Sequence, residues 1–182
     1  LPGPRGPDGP DLAVMARYCE AHAGTAQAPR LFVSVSVLHN PTGYSLSAAS
    51  AHRMLQLAQQ RDFHIVEDDT YHHLAPEHAT RLAQLDGLAR TIYVSGFAKI
   101  LAPAWRVGFL AAPPDLVEPL MDTKLLATLT TPSLLERALA RCLEHGPLRL
   151  PAARLCGPLY AAPFRIVRLA PTPCRQLLST PS

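Results

Sequence analysis

The chain has 182 residues, 48% of them hydrophobic, and a formal net charge of +3 at pH 7. That length suffices for one domain with a buried core. No apolar run approaches the ~18 residues of a membrane span, and the first residues lack the basic-then-apolar layout of a signal peptide. Four widely separated cysteines without a CxxC pair argue against a zinc site or a redox motif. We therefore expect no membrane partner, no metal site, and a reducing compartment, by default the cytoplasm.

The first predicted elements alternate between helix and strand. Asp11 precedes an apolar-periodic run, residues 12–22, and predicts a helix N-cap. The segment LFVSVSVL at 31–38 alternates and is rich in β-branched residues, which predicts a strand. Ser47 predicts the N-cap of a second helix, whose apolar face is Ala51, Met54, Leu55 and Ala58.

Three further strands and one helix follow. The strands are predicted at 62–67, 91–95 and 107–111. Ser133 and Glu136 in SLLE predict a capping box at the start of a helix that Gly146 ends. Strands separated by helical stretches predict βαβ units and the α/β class, with a mostly parallel sheet flanked by helices.

The composition changes abruptly near residue 146. Residues 147–182 contain five arginines, seven of the 19 prolines and no acidic residue, so the remainder has 17 − 5 = 12 basic against 14 acidic residues. Prolines at this spacing interrupt any helix. We expect residues 1–146 to form the domain, and 147–182 to be a Pro/Arg-rich tail that is disordered or foreign to the fold. Specific nucleic-acid binding by the tail is disfavoured because it has no lysine.

Polar residues follow the ends of the first three strands, where an open α/β sheet binds its ligands. They supply an amide, a carboxylate with a phenol, an amine and a guanidinium: Asn40, Asp68 with Tyr71, Lys99 and Arg106. A partly desolvated lysine forms a Schiff base with an aldehyde, and arginine suits a phosphate. A carboxylate facing a pyridine nitrogen keeps that nitrogen protonated. Together these are the partners of pyridoxal 5′-phosphate.

Each of these residues also has a simpler interpretation. Asn40-Pro41 starts many turns, Tyr71 can pack in a core, and single lysines and arginines are usually solvated. The strongest rival chemistry is a metal cluster drawn from Glu67, Asp68, Asp69, His72 and His73. Adjacent strand residues alternate between faces, however, so only some of these side chains can converge on one ion. Dinucleotide and P-loop glycine motifs are absent.

Three motifs occur in the order of a known family: NPTG at 40–43, DxxY at 68–71, and a lysine followed by an arginine at 99 and 106. They resemble the fold-type I, class I/II aminotransferases over roughly residues 5–146. The longer segments LHNPTG, VEDDTY and SGFAKILAPAWRVGFL are most similar to the aminotransferase-like domain of MocR/GntR-type transcription regulators. The resemblance implies the large domain of an aspartate aminotransferase-like, PLP-dependent transferase, incomplete at both ends.

The resemblance also implies a role for each residue. Lys99 would be the Schiff-base lysine and would move the proton during amino transfer from an amino acid to a keto acid. Asp68 would pair with the pyridine nitrogen, Asn40 and Tyr71 with the ring oxygen, and Arg106 with the phosphate. The family usually has Ser or Thr three residues before the lysine, where this chain has Gly96. Ser95 is therefore the expected additional phosphate ligand.

Two alternatives stay open beside the enzyme. In one, the domain binds the cofactor and an amine effector without catalysis, and DNA is contacted only through an upstream winged helix outside these residues. In the other, the chain is an inert fragment. Family sites are completed across a homodimer, and the upstream phosphate turn, the stacking aromatic and the downstream arginine that grips the substrate carboxylate are not identified here. We therefore expect weak or no turnover by this chain alone.

Overall fold

The computed structural model describes residues 5–6, 9–75, 78–99 and 103–145. The predicted helix end at Gly146 and the predicted tail at 147–182 lie outside the described residues. The elements in chain order are β1 (Arg5–Gly6), β2 (Gly9–Pro10), α1 (Leu12–Ala21), β3 (Leu31–Ser34), α2 (Ala48–Arg61), β4 (His64–Asp68), α3 (Leu82–Asp86), β5 (Thr91–Gly96), β6 (Gly108–Ala111), α4 (Pro114–Thr128) and α5 (Ser133–His145). Short 3-10 turns occupy His72–Leu74 and Pro103–Trp105.

The main sheet has four strands in the order β3-β4-β5-β6. The first three strands are parallel, and α2 and α3 form the crossovers between them. Strand β6 is antiparallel to β5, with Gly96 opposite Gly108. The predicted α/β class and mostly parallel sheet are therefore confirmed. Strands β1 and β2 form a separate antiparallel pair at the N-terminal end.

Two of the three predicted helix starts are confirmed. The Asp11 carboxylate accepts hydrogen bonds from the backbone N–H groups of Ala13 and Val14, both at 3.0 Å. Ser47 caps α2 by accepting from Ser50 N at 3.2 Å. The capping box at Ser133 is wrong: Ser133 is the first residue of α5, and Glu136 N donates to the carbonyl of Pro132. The helix thus begins one residue earlier than predicted.

The first two strands are displaced from their predicted limits. Strand β3 ends at Ser34, because the chain then turns and the carbonyl of Ser36 accepts from Leu46 N at 2.7 Å. Strand β4 begins at His64 rather than residue 62, because Asp62 ends α2 in the left-handed conformation, with φ +53°. Backbone conformation at these junctions, rather than side-chain pattern, sets the ends of the strands.

The sheet has two unlike faces. The face that we call the covered face packs against α1, α2 and α3, and its core side chains include Met54, Phe63, Ile65 and Leu82. The opposite face, here called the open face, carries Val33, which is 59% exposed, and Leu110, which is 49% exposed. Unidirectional right-handed crossovers place connecting helices on the same side of a sheet. Among the described elements, the helices that pack on the sheet therefore cover one face rather than flanking both.

Helix α4 was not predicted, because prolines surround and interrupt it. Pro114 occupies the first turn, where proline is tolerated, while Pro119 lies inside the helix. None of its side chains is buried among the described residues. None of the helices in the described part of the chain is long and apolar enough to cross a membrane.

Candidate functional site

One edge of the main sheet gathers the segments that carry the predicted site residues, with the exception of Ser95. We call this edge the rim: it consists of the carboxyl ends of β3, β4 and β5 together with the start of β6. Asp68, at the end of β4, pairs in register with Val94. Because β6 runs antiparallel, its first residue, Gly108, lies beside Gly96 at the end of β5. Arg106 reaches the rim for that reason, from the start of a strand rather than its end.

Asn40 lies in a tight turn beyond β3. His39 N donates to the Tyr44 carbonyl at 2.8 Å, and Gly43 N donates to the His39 carbonyl at 2.6 Å. The His39 ring lies 2.8 Å from the Thr42 hydroxyl and packs on Tyr44 with 5.3 Å between ring centroids. Burial and the nearby Arg5 guanidinium lower the pKa of His39. The Asn40 side chain itself is exposed, and a cis peptide bond joins Asn40 to Pro41.

Asp68 is held at the rim by its own chain. Its Oδ1 accepts hydrogen bonds from the Thr70 backbone N–H at 3.0 Å and from the Thr70 hydroxyl. This side-chain turn fixes the carboxylate on the half-buried open side of β4. Tyr71 follows, half-buried, and its carbonyl accepts from Leu74 N at 2.9 Å as the chain enters a 3-10 turn.

Lys99 and Arg106 belong to one loop between β5 and β6. Phe97 N donates to the Val107 carbonyl at 3.2 Å and closes that loop at its base. The Phe97 ring is buried and lies 5.9 Å from the ring of His73, which follows Tyr71 closely in the chain. The side chains of Lys99 and Arg106 are exposed. Arg106 adopts a left-handed backbone, with φ +53°, which is uncommon outside glycine and enriched at ligand sites.

Ser95 does not lie with the other predicted ligands. It is 6% exposed, and its hydroxyl donates to the Asp69 backbone carbonyl at 2.9 Å. Successive strand residues point to opposite faces, so Ser95 faces the covered side while Gly96 shares the face of Asp68. The expected phosphate contact of Ser95 does not fit this geometry. Its observed contact instead joins the ends of β4 and β5.

A buried polar cluster on the covered face was not predicted. It consists of Glu67, Asp69, Arg81 and Tyr93, which we call the buried acid cluster. Burial is the main cause that raises the pKa of Glu67, against the opposing effect of two backbone hydrogen bonds. Burial, followed by the charge of Asp69, raises the pKa of Tyr93 to about 12. The signal in the sequence was the alternation in IVEDD, which places Glu67 and Asp69 on the same face as Ile65.

The rival metal site is not assembled in the part of the chain that the structure describes, where no group of three His, Cys, Asp or Glu side chains converges. Glu67 and Asp69 point to the covered face and Asp68 to the open one. The rim instead offers an amine, a guanidinium and a carboxylate: Lys99, Arg106 and Asp68. Within the described residues, neither Lys99 nor Arg106 has a side-chain hydrogen bond or ion pair. This donor set fits a phosphorylated pyridine aldehyde.

Open α/β sheets bind their ligands at the carboxyl ends of the strands, which is where these groups lie. Family comparison gives the particular class: the chain belongs to the family of aminotransferases of class I and II, whose model matches residues 13–154. That match includes the whole rim and extends beyond residue 146.

Three similar proteins illustrate the family. The 2-aminoadipate transaminase of Thermus thermophilus is 33% identical over 149 residues, which is 79% of this chain and 36% of that protein. The structure of LysN, the α-aminoadipate aminotransferase of the same species, was solved with N-(5′-phosphopyridoxyl)-L-leucine bound. It has a TM-score of 0.72 and 29% identity over 85% of this chain and 40% of LysN. The uncharacterized HTH-type transcriptional regulator YisV of Bacillus subtilis is 29% identical over 119 residues, 64% of this chain and 25% of YisV.

The chain thus spans well under half the length of these relatives. The part of the chain that the family model matches, residues 13–154, contains the rim and the crossover helices.

Proposed function

We propose that the whole protein is a pyridoxal phosphate-dependent aminotransferase, which transfers an amino group from an amino acid to a keto acid. The observation that carries this proposal is the rim, where three strand ends and one strand start bring Asp68, Lys99 and Arg106 to one edge of the sheet. Membership of the aminotransferase family and the phosphopyridoxyl ligand of LysN support the same chemistry.

Each rim residue has one task in this proposal. Pyridoxal 5′-phosphate, when bound, supplies an aldehyde carbon and an electron-withdrawing ring. Lys99 would hold the cofactor at its aldehyde carbon and would be the base that moves a proton from the substrate Cα; such acid–base steps are typically worth ~10²–10⁴ in rate. Asp68 keeps the pyridine nitrogen protonated, and Arg106 binds the phosphate.

The remaining polar residues of the rim orient the ring. Asn40 and Tyr71 donate hydrogen bonds to its phenolic oxygen in this proposal. Ser95 is left out of the proposed site because its hydroxyl is already bonded on the covered face. The proposed protein is a cytoplasmic homodimer whose ligand is an amino acid or another amine.

Borohydride trapping tests the cofactor assignment. The full chain would be incubated with pyridoxal 5′-phosphate and reduced, and the labelled peptide would be mapped by mass spectrometry. We expect the label on Lys99, and we expect Lys99→Ala to lose it while the fold is retained, because that side chain is exposed. Lys124→Ala is the matched control, since Lys124 is the other exposed lysine of the described chain. Equal labelling of both lysines would contradict the assignment.

A second candidate function is an effector-binding domain without turnover, within a transcription regulator of the MocR/GntR type. The similarity to YisV favours it. The two functions differ in what the full-length protein does with an amino acid after it has bound the cofactor. An enzyme releases the corresponding keto acid, whereas a regulator changes its cofactor spectrum without release. Keto-acid formation by full-length protein, lost in Lys99→Ala, would rule out the regulatory alternative as the sole function.

A further inference from the structure

The two acidic residues on either side of Asp68 lie on the opposite face of the sheet. Glu67 is fully buried, and so is the side chain of Asp69. Buried carboxylates are costly unless each is paired or hydrogen-bonded. Their partners therefore show what these two residues hold in place.

Glu67 holds the beginning of α3. Its Oε1 accepts from Leu82 N at 2.7 Å, and its Oε2 accepts from Ala83 N at 2.8 Å. Because both carboxylate oxygens are used by adjacent backbone N–H groups, the position of the first turn of α3 relative to β4 is fixed.

Asp69 holds the residue just before that turn. Its Oδ2 accepts from Arg81 Nε at 2.7 Å and from the Tyr93 hydroxyl at 2.9 Å. Arg81 also donates to the Ala79 carbonyl at 3.1 Å. The Asp69 backbone is tied to β5 as well, with its N–H on the Val94 carbonyl and its carbonyl on the Ser95 hydroxyl, both at 2.9 Å.

The bond between Arg81 and Asp69 holds the two ends of one chain segment together. The segment between Asp69 and Arg81 leaves the end of β4 and returns to the same point, and both of its ends are bound by the buried acid cluster. Tyr71 lies within that segment, and Asp68 lies immediately before it. The cluster and the rim are thus adjacent in the chain, because Asp69 of the cluster directly follows Asp68 of the rim.

The cluster also reaches the loop that carries Lys99. The Tyr93 ring packs on Phe109 with 6.1 Å between centroids, and Phe109 packs on Phe97 at 5.9 Å. Phe97 precedes Lys99 by two residues and lies against His73. Both parts of the rim that carry reactive groups are therefore connected to Tyr93, one through Asp69 and the other through Phe109 and Phe97.

We propose that Glu67, Asp69 and Arg81 are positioning residues for the rim. They touch no ligand; by fixing both ends of the segment that contains Tyr71, they set the position of Tyr71 and of the Asp68 carboxylate. This inference rests on the proposed function, because it assigns those two residues to the cofactor ring. A purely stabilising role is the competing explanation, and buried ion pairs are weak evidence for stability.

Cofactor affinity in matched variants of the full chain separates these explanations. Arg81→Met removes the guanidinium, and Arg81→Lys retains a positive charge. Tyr93→Phe removes a single hydrogen bond and replaces Arg81→Met in the test if that variant does not fold. Met54→Ala destabilises the covered core without touching the cluster. Pyridoxal 5′-phosphate would be titrated into each variant, with its induced circular dichroism as the readout. Loss of supporting residues typically weakens metal ligation by ~10–100-fold, and we expect a comparable rise in the cofactor Kd for Arg81→Met.

The control and the rescue decide the outcome. We expect Met54→Ala to keep the wild-type Kd and circular dichroism, Tyr93→Phe to raise the Kd by a smaller factor, and Arg81→Lys to recover part of the affinity. An unchanged Kd in both Arg81→Met and Tyr93→Phe, or an equal rise in Met54→Ala, would overturn the proposal.

Hydrogen exchange in the chain without cofactor tests the positioning independently. We expect Arg81→Met to speed amide exchange in residues 70–75 by at least about tenfold, with exchange in α2 unchanged; tenfold corresponds to ~1.4 kcal/mol of local opening. If the wild-type chain binds no cofactor, the proposed function fails while this measurement still decides the positioning role. Unchanged exchange in residues 70–75 would overturn it.

Discussion

On the covered face of the sheet, Asp69 is fully buried and binds Arg81 and Tyr93. On the open face, its neighbour Asp68 is half-buried and accepts hydrogen bonds from Thr70, two residues further along the chain. The alternation of strand side chains is the whole cause of this difference. Two adjacent residues of the same type therefore serve different ends: Asp69 joins structural elements, and Asp68 is available to a ligand.

The difference shows how this small sheet combines rigidity and reactivity. A buried charge must be satisfied by the protein, so the covered face consumes its polar groups in fixed contacts. A rim group that binds a ligand must remain accessible, so it is fixed only by local turns and by backbone. The covered face thus provides the rigid support, and the rim provides the chemistry.

The largest effect is expected from the hydrophobic core of the covered face. Phe63 is fully buried between α2 and the sheet, and Phe63→Ala should lower the free energy of unfolding by about 3–5 kcal/mol, because it removes a large side chain and leaves a cavity. Leu110→Ala on the open face should cost only about 1 kcal/mol, since Leu110 is half-exposed. Urea unfolding of both variants measures this; equal losses would contradict the division into two faces.

The two aspartates give the second comparison. Asp69→Ala leaves the buried Arg81 guanidinium without its partner and should cost about 3 kcal/mol. Asp68→Ala loses only the local bonds to Thr70 and should cost about 1 kcal/mol. Under the proposed function, Asp68→Ala should nevertheless weaken cofactor binding more than its small loss of stability suggests. Unfolding and cofactor titration on the same two proteins measure both effects, and a reversed order of stability would break the comparison.

Much of this fold follows from local sequence signals. The caps at Asp11 and Ser47 and the alternation in the strands depend on neighbouring residues, so they were predicted and confirmed. The start of α5 was displaced because a backbone carbonyl, that of Pro132, accepts the bond that a side chain was expected to accept. Helix α4 was missed because Pro119 lies within a helix that proline normally interrupts. The start of α5 and the presence of α4 depend on which backbone groups are hydrogen-bonded, and residue types alone do not reveal that.

The candidate site, like the fold, could be predicted from the sequence in part. The motifs predicted Asn40, Asp68, Tyr71, Lys99 and Arg106 from their order along the chain, and the topology brings the segments that carry them to one rim. The expected phosphate contact of Ser95 does not fit the geometry of β5, because counting from the lysine does not tell which face a strand residue occupies. The bond between Arg81 and Asp69 joins residues far apart in sequence, and only the folded chain shows that the crossover returns Arg81 beneath β4.

A smaller effect is expected at Tyr93. Tyr93→Phe removes the hydrogen bond to Asp69 and should cost about 1–2 kcal/mol near neutral pH. The pKa of Tyr93 is raised to about 12, so folding favours the protonated phenol. Its contribution is complete below the ordinary tyrosine pKa of ~10, declines above it, and is lost as the pH rises through about 12.

The difference between wild type and Tyr93→Phe isolates this titration from the other groups that ionise in alkali. We expect the two unfolding free energies to converge as the pH rises above ~10. Chemical denaturation at a series of alkaline pH values provides the measurement. A difference that stays constant over that range would show that the phenol does not titrate with the expected shift.

The smallest effect should come from the open face itself. Val33 is 59% exposed on the edge strand β3, and Val33→Thr preserves the β-branched shape while adding a hydroxyl that water can bind. The change in unfolding free energy should stay within about 0.5 kcal/mol. The matched comparison is Ile65→Thr. Ile65 is fully buried on the covered face, in the neighbouring register position, and the substitution should cost several times more because it places a hydroxyl in an apolar core. The pair therefore tests whether the open face remains exposed in solution. A cost at Val33 that approaches the cost at Ile65 would mean that another protein surface covers the open face. Measuring both variants over a range of protein concentrations would show whether that surface belongs to a second copy of the chain.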